Sequence, residues 1–179
     1  MKKFELIVGL IVLFGIFLTI LHIPGGRILT VYASSILSMF YYIFSFAFFN
    51  GIRLRDIFKK ISYKDTNVKR IIGAIGVGLA LSQIIIGGVL KLQFWSGTNN
   101  IFLPIGLVNT AIILLIAIIF YFRNKADFYK MILRRIVIYG GLGLILYLTP
   151  SSLLVDIDNQ AFSPYLESIK NYELKPLNF

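Results

Sequence analysis

Long apolar stretches separated by short polar or basic segments set the pattern of this chain. They cover roughly Leu6–His22, Ile28–Phe49, Ile71–Leu90 and Ile101–Phe122, with a shorter fifth over Ile136–Leu148. A helix that crosses a bilayer core needs about 20 predominantly apolar residues, so the first four stretches each reach crossing length. The fifth reaches it only if Met131–Leu133 join it and Arg134 and Arg135 snorkel back to the interface. The expectation is an all-α integral membrane protein of five transmembrane helices. It divides into a first hairpin (1–50), a basic cytoplasmic loop (51–70), a second hairpin (71–122), a loop with the fifth helix (123–150) and an external tail (151–179). An uncleaved first helix is favoured over a signal peptide, because Leu6–His22 exceeds a usual h-region.

Composition agrees with lipid as the solvent. Of 179 residues 58% are hydrophobic and mean hydropathy is +0.83, above the ~45–50% apolar content of soluble domains. Charge then orients the chain. Lys2 and Lys3, seven basic residues in Gly51–Arg70 and five in Arg123–Arg135 account for fourteen of the eighteen Lys and Arg. Basic loops stay on the cytoplasmic side, which puts the N-terminus inside and the C-terminus outside a bacterial inner membrane. The basicity is therefore a topology signal, and no nucleic-acid partner is expected. With no cysteine, one histidine and eight carboxylates, neither a metal site nor a cofactor is expected.

Residues 6–49 and 71–122 align as two hairpins in the same orientation, with the corner Thr19–Gly26 over Lys91–Thr98. Such a duplication makes a parallel repeat about an axis along the membrane normal. Pro24 ends the first helix, and Gly25-Gly26 supplies the positive φ of a tight reversal. Trp95 suits the water interface, and Lys91, one turn below it, snorkels outward past the indole. His22 reads as a structural donor at the same interface. Together His22, Pro24, Gly25, Lys91, Trp95 and Gly97 mark the corners.

These corners resemble the N-terminal hairpin of the GldL-type membrane subunits of Bacteroidota gliding motility and type IX secretion. That hairpin carries a lysine, a His-Trp-Pro-Gly corner and an apolar helix. The marks are divided here: copy one has His22, Pro24 and Gly25 with Thr19 at the lysine place, and copy two has Lys91, Trp95 and Gly97 with Phe94 and Ser96 at the histidine and proline places. The resemblance covers about half of the chain through short motifs. It implies a hairpin fold and a cell-envelope assembly. The family's motor activity needs a carboxylate at membrane depth, and Leu6–Phe122 holds only Asp56 and Asp65, both in the basic loop. That activity is not carried over.

Gln83 and Asn109 lie equally deep if the second hairpin reverses near Ser96, so their carboxamides are expected to pair across the helices. The alternative is that they line a polar substrate cavity. Ala74, Gly78 and Ser82, and Ser34 with Ser38, mark close-packing faces. Leu54, Ile57, Phe58 and Ile61 recur at helical spacing, with Arg53, Arg55, Lys59 and Lys60 on other faces. That predicts a basic amphipathic helix on the anionic cytoplasmic leaflet. A phosphate loop at Gly73–Gly78 fails for lack of a strand and a Lys-Ser/Thr, and a calcium loop over Asp156–Glu167 fails at Ala161 and Pro164. The expected function is non-enzymatic: a membrane subunit or scaffold of an envelope complex for secretion, motility or transport, with membrane or periplasmic protein partners. The rival is a small-solute transporter or channel around Gln83 and Asn109.

Overall fold

The computed structural model describes residues 1–21, 23–64, 66–93 and 99–150, with Asn99, Asn100 and Asn124 described by their backbone alone. The described residues are all helical apart from turns. The helices are α1 (Lys2–Ile20), α2 (Gly26–Phe49), α3 (Val68–Leu92), α4 (Asn99–Asn124) and α5 (Asp127–Leu148). All five are long and apolar enough to cross a membrane. The fifth begins well before Ile136 and runs continuously through a π-helical turn at Ile136–Gly140.

Consecutive helices pack on one another from α1 to α4, and α5 folds back onto α3 and α4. α2 and α3 form the centre: 44% and 50% of their spans are buried, against 17% of α1 and 22% each of α4 and α5. The core joins Leu37, Phe40, Tyr41, Phe48 and Phe49 of α2 to Ala74, Val77 and Leu81 of α3, and Phe128, Ile132 and Ile136 of α5 reach into it. Phe48 meets Phe40 and Phe49 edge-on, with ring centroids 5.3 and 5.2 Å apart. Offset and edge-on rings are the preferred aromatic geometry.

Small residues set the helix spacing. A Cβ on Gly78 would collide with Ser45 and the Tyr41 carbonyl of α2, and one on Gly87 would sit 2.5 Å from Leu103 N of α4. The Ser38 hydroxyl donates to Ser82 O at 3.2 Å across the α2–α3 contact. The stripe Ala74–Gly78–Ser82 is thus used inside the bundle. At the first corner Gly25 has φ +91°, whereas Gly26 begins α2 and approaches α1 closely: its Cβ would lie 2.6 Å from Thr19 N. Only one of the two glycines supplies a positive φ. His22, Trp95 and Gly97 of the predicted corners, and the tail from 151 to 179, lie outside the described residues.

The loop after α2 departs from expectation. α2 ends in a Schellman motif, with Ile52 N donating to Ala47 O at 2.9 Å, Gly51 N to Phe48 O at 3.2 Å and Gly51 at φ +73°. Beyond it lie two short 3₁₀ turns, Leu54–Asp56 and Lys60–Tyr63, and no amphipathic α-helix. Lys59 is extended between them (φ −91°, ψ 115°). So short a segment holds a helix poorly without packing, and the β-branched Ile57 and Ile61 weaken it further. The Tyr63 hydroxyl folds the loop back by donating to Ile57 O at 2.7 Å. Arg53, Leu54, Arg55, Phe58, Lys59, Lys60 and Ile61 remain exposed, Phe58 at 98%, while Ile57 is half-buried.

The glycine contacts give a paired test. Gly78→Val forces α2 and α3 apart and lowers stability by about 1–3 kcal/mol, the usual cost of overpacking. Gly76→Ala, at a position with nothing within 4 Å, leaves the melting temperature in detergent unchanged. Equal melting temperatures for both variants would refute this account of the interface.

Candidate functional site

The site grows from a residue just outside the first apolar stretch. Glu5 lies in the first turn of α1 and is only 8% exposed. Its Oε1 accepts from Arg135 Nε at 2.8 Å and from the Tyr41 hydroxyl; its Oε2 accepts from Arg135 Nη2 at 2.5 Å. Arg135 Nη1 donates to Met131 O at 3.2 Å, and the guanidinium lies 4.5 Å from the Phe48 ring centre and 5.8 Å from that of Phe49. Arg135 is 3% exposed and Tyr41 fully buried.

One expectation is corrected here. Arg135 does not snorkel to the interface, whereas Arg134 beside it is exposed. A guanidinium is rigid, bidentate and able to stack on aromatic faces, and the carboxylate with two phenylalanines gives it a better place than the interface. The described bundle also holds a buried acid, Glu5, despite the lack of carboxylates in the apolar stretches. Both residues carried a visible signal: one acid in the first turn of the first span, and one arginine that cannot leave the fifth. Buried charges are expensive unless paired.

The π turn begins immediately after Arg135. Its wider winding re-registers α5, so that Arg135 and Tyr139 address α1 and α2 while Gly140 and Gly143 lie against Thr110 and Ile84. The Tyr139 ring stands edge-on to Tyr41, centroids 5.5 Å apart.

Between α1 and α5 runs a half-open cavity of about 530 Å³, floored by α2 and α3. Its walls are mostly apolar, with Thr30, Ser34 and Tyr139 among them, and Lys2, Glu5, Arg134 and Arg135 gather at one end. A second cavity of about 610 Å³ shares Lys2 with the first and lies among Arg53, Asp56, Arg70 and Asp127 at the loop end. There the Lys59 ammonium, 2.8 Å from Asp56, holds the Asp56 carboxyl below its ordinary range, and Arg70 stacks on Phe128 at 4.8 Å.

Of the predicted site residues, Gln83 and Asn109 are brought together: Asn109 Nδ2 donates to Gln83 Oε1 at 2.9 Å. Neither lines either cavity. Lys91 turns toward α5 and donates to the carbonyls of Tyr147 and Thr149 at 2.9 and 2.8 Å. It thereby caps the C-terminus of α5, where a cation also meets the negative end of the helix dipole. Pro24 and Gly25 stand together at the first corner, remote from the Glu5–Arg135 pair at the opposite end of α1. The basic loop residues lie at that same end, with Arg53 lining the second cavity. Among the described residues no group of three His, Cys, Asp or Glu is placed to hold a metal ion.

Removing one member of the buried pair strands the other. Glu5→Leu and Arg135→Met each lower stability by about 3–5 kcal/mol, and the double variant recovers most of the loss. Additive losses in thermal unfolding would refute the pairing. Gln83→Leu costs about 0.6 kcal/mol and at most about 2, measured the same way. A loss as large as that of Glu5→Leu would contradict its reading as a local clasp.

No family model, no curated protein and no solved structure matches this chain.

Proposed function

We propose that the chain is a non-enzymatic, multi-pass subunit of a bacterial inner-membrane assembly, with its N-terminus inside and its C-terminus outside. The observation that carries this reading is the division between a closed interior and exposed apolar flanks. Inside, Glu5 is committed to Arg135 and Tyr41 and Gln83 to Asn109, and at the corner end Lys91 is committed to the carbonyls that close α5. Outside, α1, α4 and α5 present Leu10, Phe14, Ile112, Leu115, Ile119, Leu144 and Ile145 largely exposed. Such flanks suit lipid and the helices of other subunits, since helix association in membranes runs on close packing.

The fourteen basic residues that set the predicted orientation gather toward one end of the bundle, formed by the start of α1, the 50–67 loop with the first turn of α3, and the end of α4 with the first part of α5. The exposed Phe58 and Ile61 beside Lys59 and Lys60 form a foot for the anionic cytoplasmic leaflet. The resemblance of the corners to the GldL-type hairpin supports a role in envelope secretion or motility. Glu5 does not restore the family's motor role, because its carboxylate is held by Arg135 and Tyr41.

Two measurements test this. The chain has no cysteine, so single-cysteine labelling in intact spheroplasts is direct. Ile23→Cys reacts with an impermeant maleimide, and Lys125→Cys reacts only after lysis; the reverse would overturn the orientation. Isolation in gentle detergent recovers stoichiometric membrane or periplasmic partners. A lone, monodisperse protein would overturn the subunit reading.

A further inference from the structure

We propose that the seam between α1 and α5 binds one anionic phospholipid from the leaflet at the charged end of the bundle. One acyl chain lies along α1, and the phosphate sits between Lys2 and Arg134. Three observations lead there.

The first is shape. The apolar wall of the seam runs on α1 from Leu6 to Ile16 and on α5 from Ile138 to Leu146. Ten residues of helix rise about 15 Å, the share of one leaflet in a hydrocarbon core of about 30 Å. A groove of about 530 Å³ drawn out over that length suits an extended hydrocarbon chain.

The second is chemistry along the seam. Below its charged rim the walls are mainly leucine, isoleucine and valine, interrupted by Thr30, Ser34 and Tyr139; Thr30 donates to Gly26 O at 2.8 Å, and Glu5 is held by Arg135. Gly9 and Gly88 leave the walls thin, with only Tyr139 Oη within 4 Å of a Cβ built on Gly9, at 3.8 Å.

The third is charge. Glu5 neutralises Arg135, so Lys2 and Arg134 remain at the rim as exposed cations. The polar cavity that adjoins at Lys2 adds Arg53 and Arg70, partly offset by Asp56 and Asp127. A phosphate diester is the group that an arginine and a lysine at such a rim recognise. A zwitterionic headgroup would bring a second cation to the same place.

The experiment is native mass spectrometry of the full chain, extracted in mild detergent from vesicles holding phosphatidylglycerol and phosphatidylcholine in equal amounts. One phosphatidylglycerol per chain is expected, with phosphatidylcholine displaced. Lys2→Gln combined with Arg134→Gln, both at exposed positions, lowers the preference for phosphatidylglycerol about tenfold. Gly9→Leu, which fills the seam, removes the retained lipid of either kind while leaving the helical circular dichroism unchanged. Equal retention of both lipids by the native chain overturns the proposal, as does a second polypeptide retained in place of lipid. Should Gly9→Leu fail to fold, a photoreactive phosphatidylglycerol on the native chain decides. Crosslinks confined to α1 and α5 support the seam, and crosslinks scattered over α4 refute it.

Discussion

The buried contact of Arg135 with Glu5 organises the rest of this bundle. An arginine 3% exposed and a carboxylate 8% exposed are tolerable in an apolar interior only when each satisfies the other and the leftover hydrogen-bonding capacity is filled. The filling comes from every side: Tyr41 of α2 donates to the carboxylate, Met131 O takes a third guanidinium hydrogen, and Phe48 with Phe49 cover the guanidinium faces. The first and last helices are thereby tied through the middle of the chain, and the aromatic end of α2 gains its purpose. Weakening the pair exposes two charges and leaves α1 held at that end by the packing of Phe4 on Phe40 and the burial of Val8.

The polar contacts form a short series along the bundle. At the loop end stands Glu5–Arg135, farther along α3 the Gln83–Asn109 clasp, and at the corner end Lys91 on the carbonyls of α5. α5 is therefore fastened by a cation directly before its π turn and by another at its C-terminus, the first its own and the second borrowed from α3. This accounts for a fifth helix whose purely apolar part is short. Between the two anchors Gly143 against Ile84 and Gly140 against Thr110 let it sit close to α3 and α4. Close packing and internal hydrogen bonds are the forces available where lipid removes the hydrophobic drive between helices.

The five long apolar helices of the described residues, their order and the close-packing stripe of α3 were legible in the sequence because bilayer length and small-residue spacing are strong, local signals. Gln83 and Asn109 were legible as a pair for the same reason: a tight hairpin makes equal depth a matter of counting. Glu5 escaped because it stands one residue outside the first apolar stretch, where a carboxylate ordinarily meets water. Arg135 escaped because snorkelling explains a terminal arginine without any partner. Their meeting depends on the return of α5 beside α1, a long-range fact that periodicity does not carry. The loop failed in the opposite sense. Its apolar spacing fits a helix, but Lys59 is extended and the Tyr63–Ile57 bond folds the segment into 3₁₀ turns. Gly26 was assigned a positive φ by its neighbour's chemistry, although what the structure requires there is the absence of a Cβ.

The same geometry explains why a seam stays open in the flank. α1 is drawn onto α2 by Gly15 and Gly26, where a Cβ would meet Thr30 and Thr19 of the facing backbone, while α5 is drawn the other way onto α3 and α4. The two helices share little beyond the Glu5–Arg135 bond and the approach of Tyr139 to Gly9. In water, a groove lined by leucine and isoleucine would close or recruit a cover, because each buried CH₂ is worth about 0.8 kcal/mol. Lipid tails are as apolar as the groove, so that drive vanishes and the walls need not meet. Packing then favours an occupant of the bilayer's own kind, and the cations at the rim select which headgroup it carries.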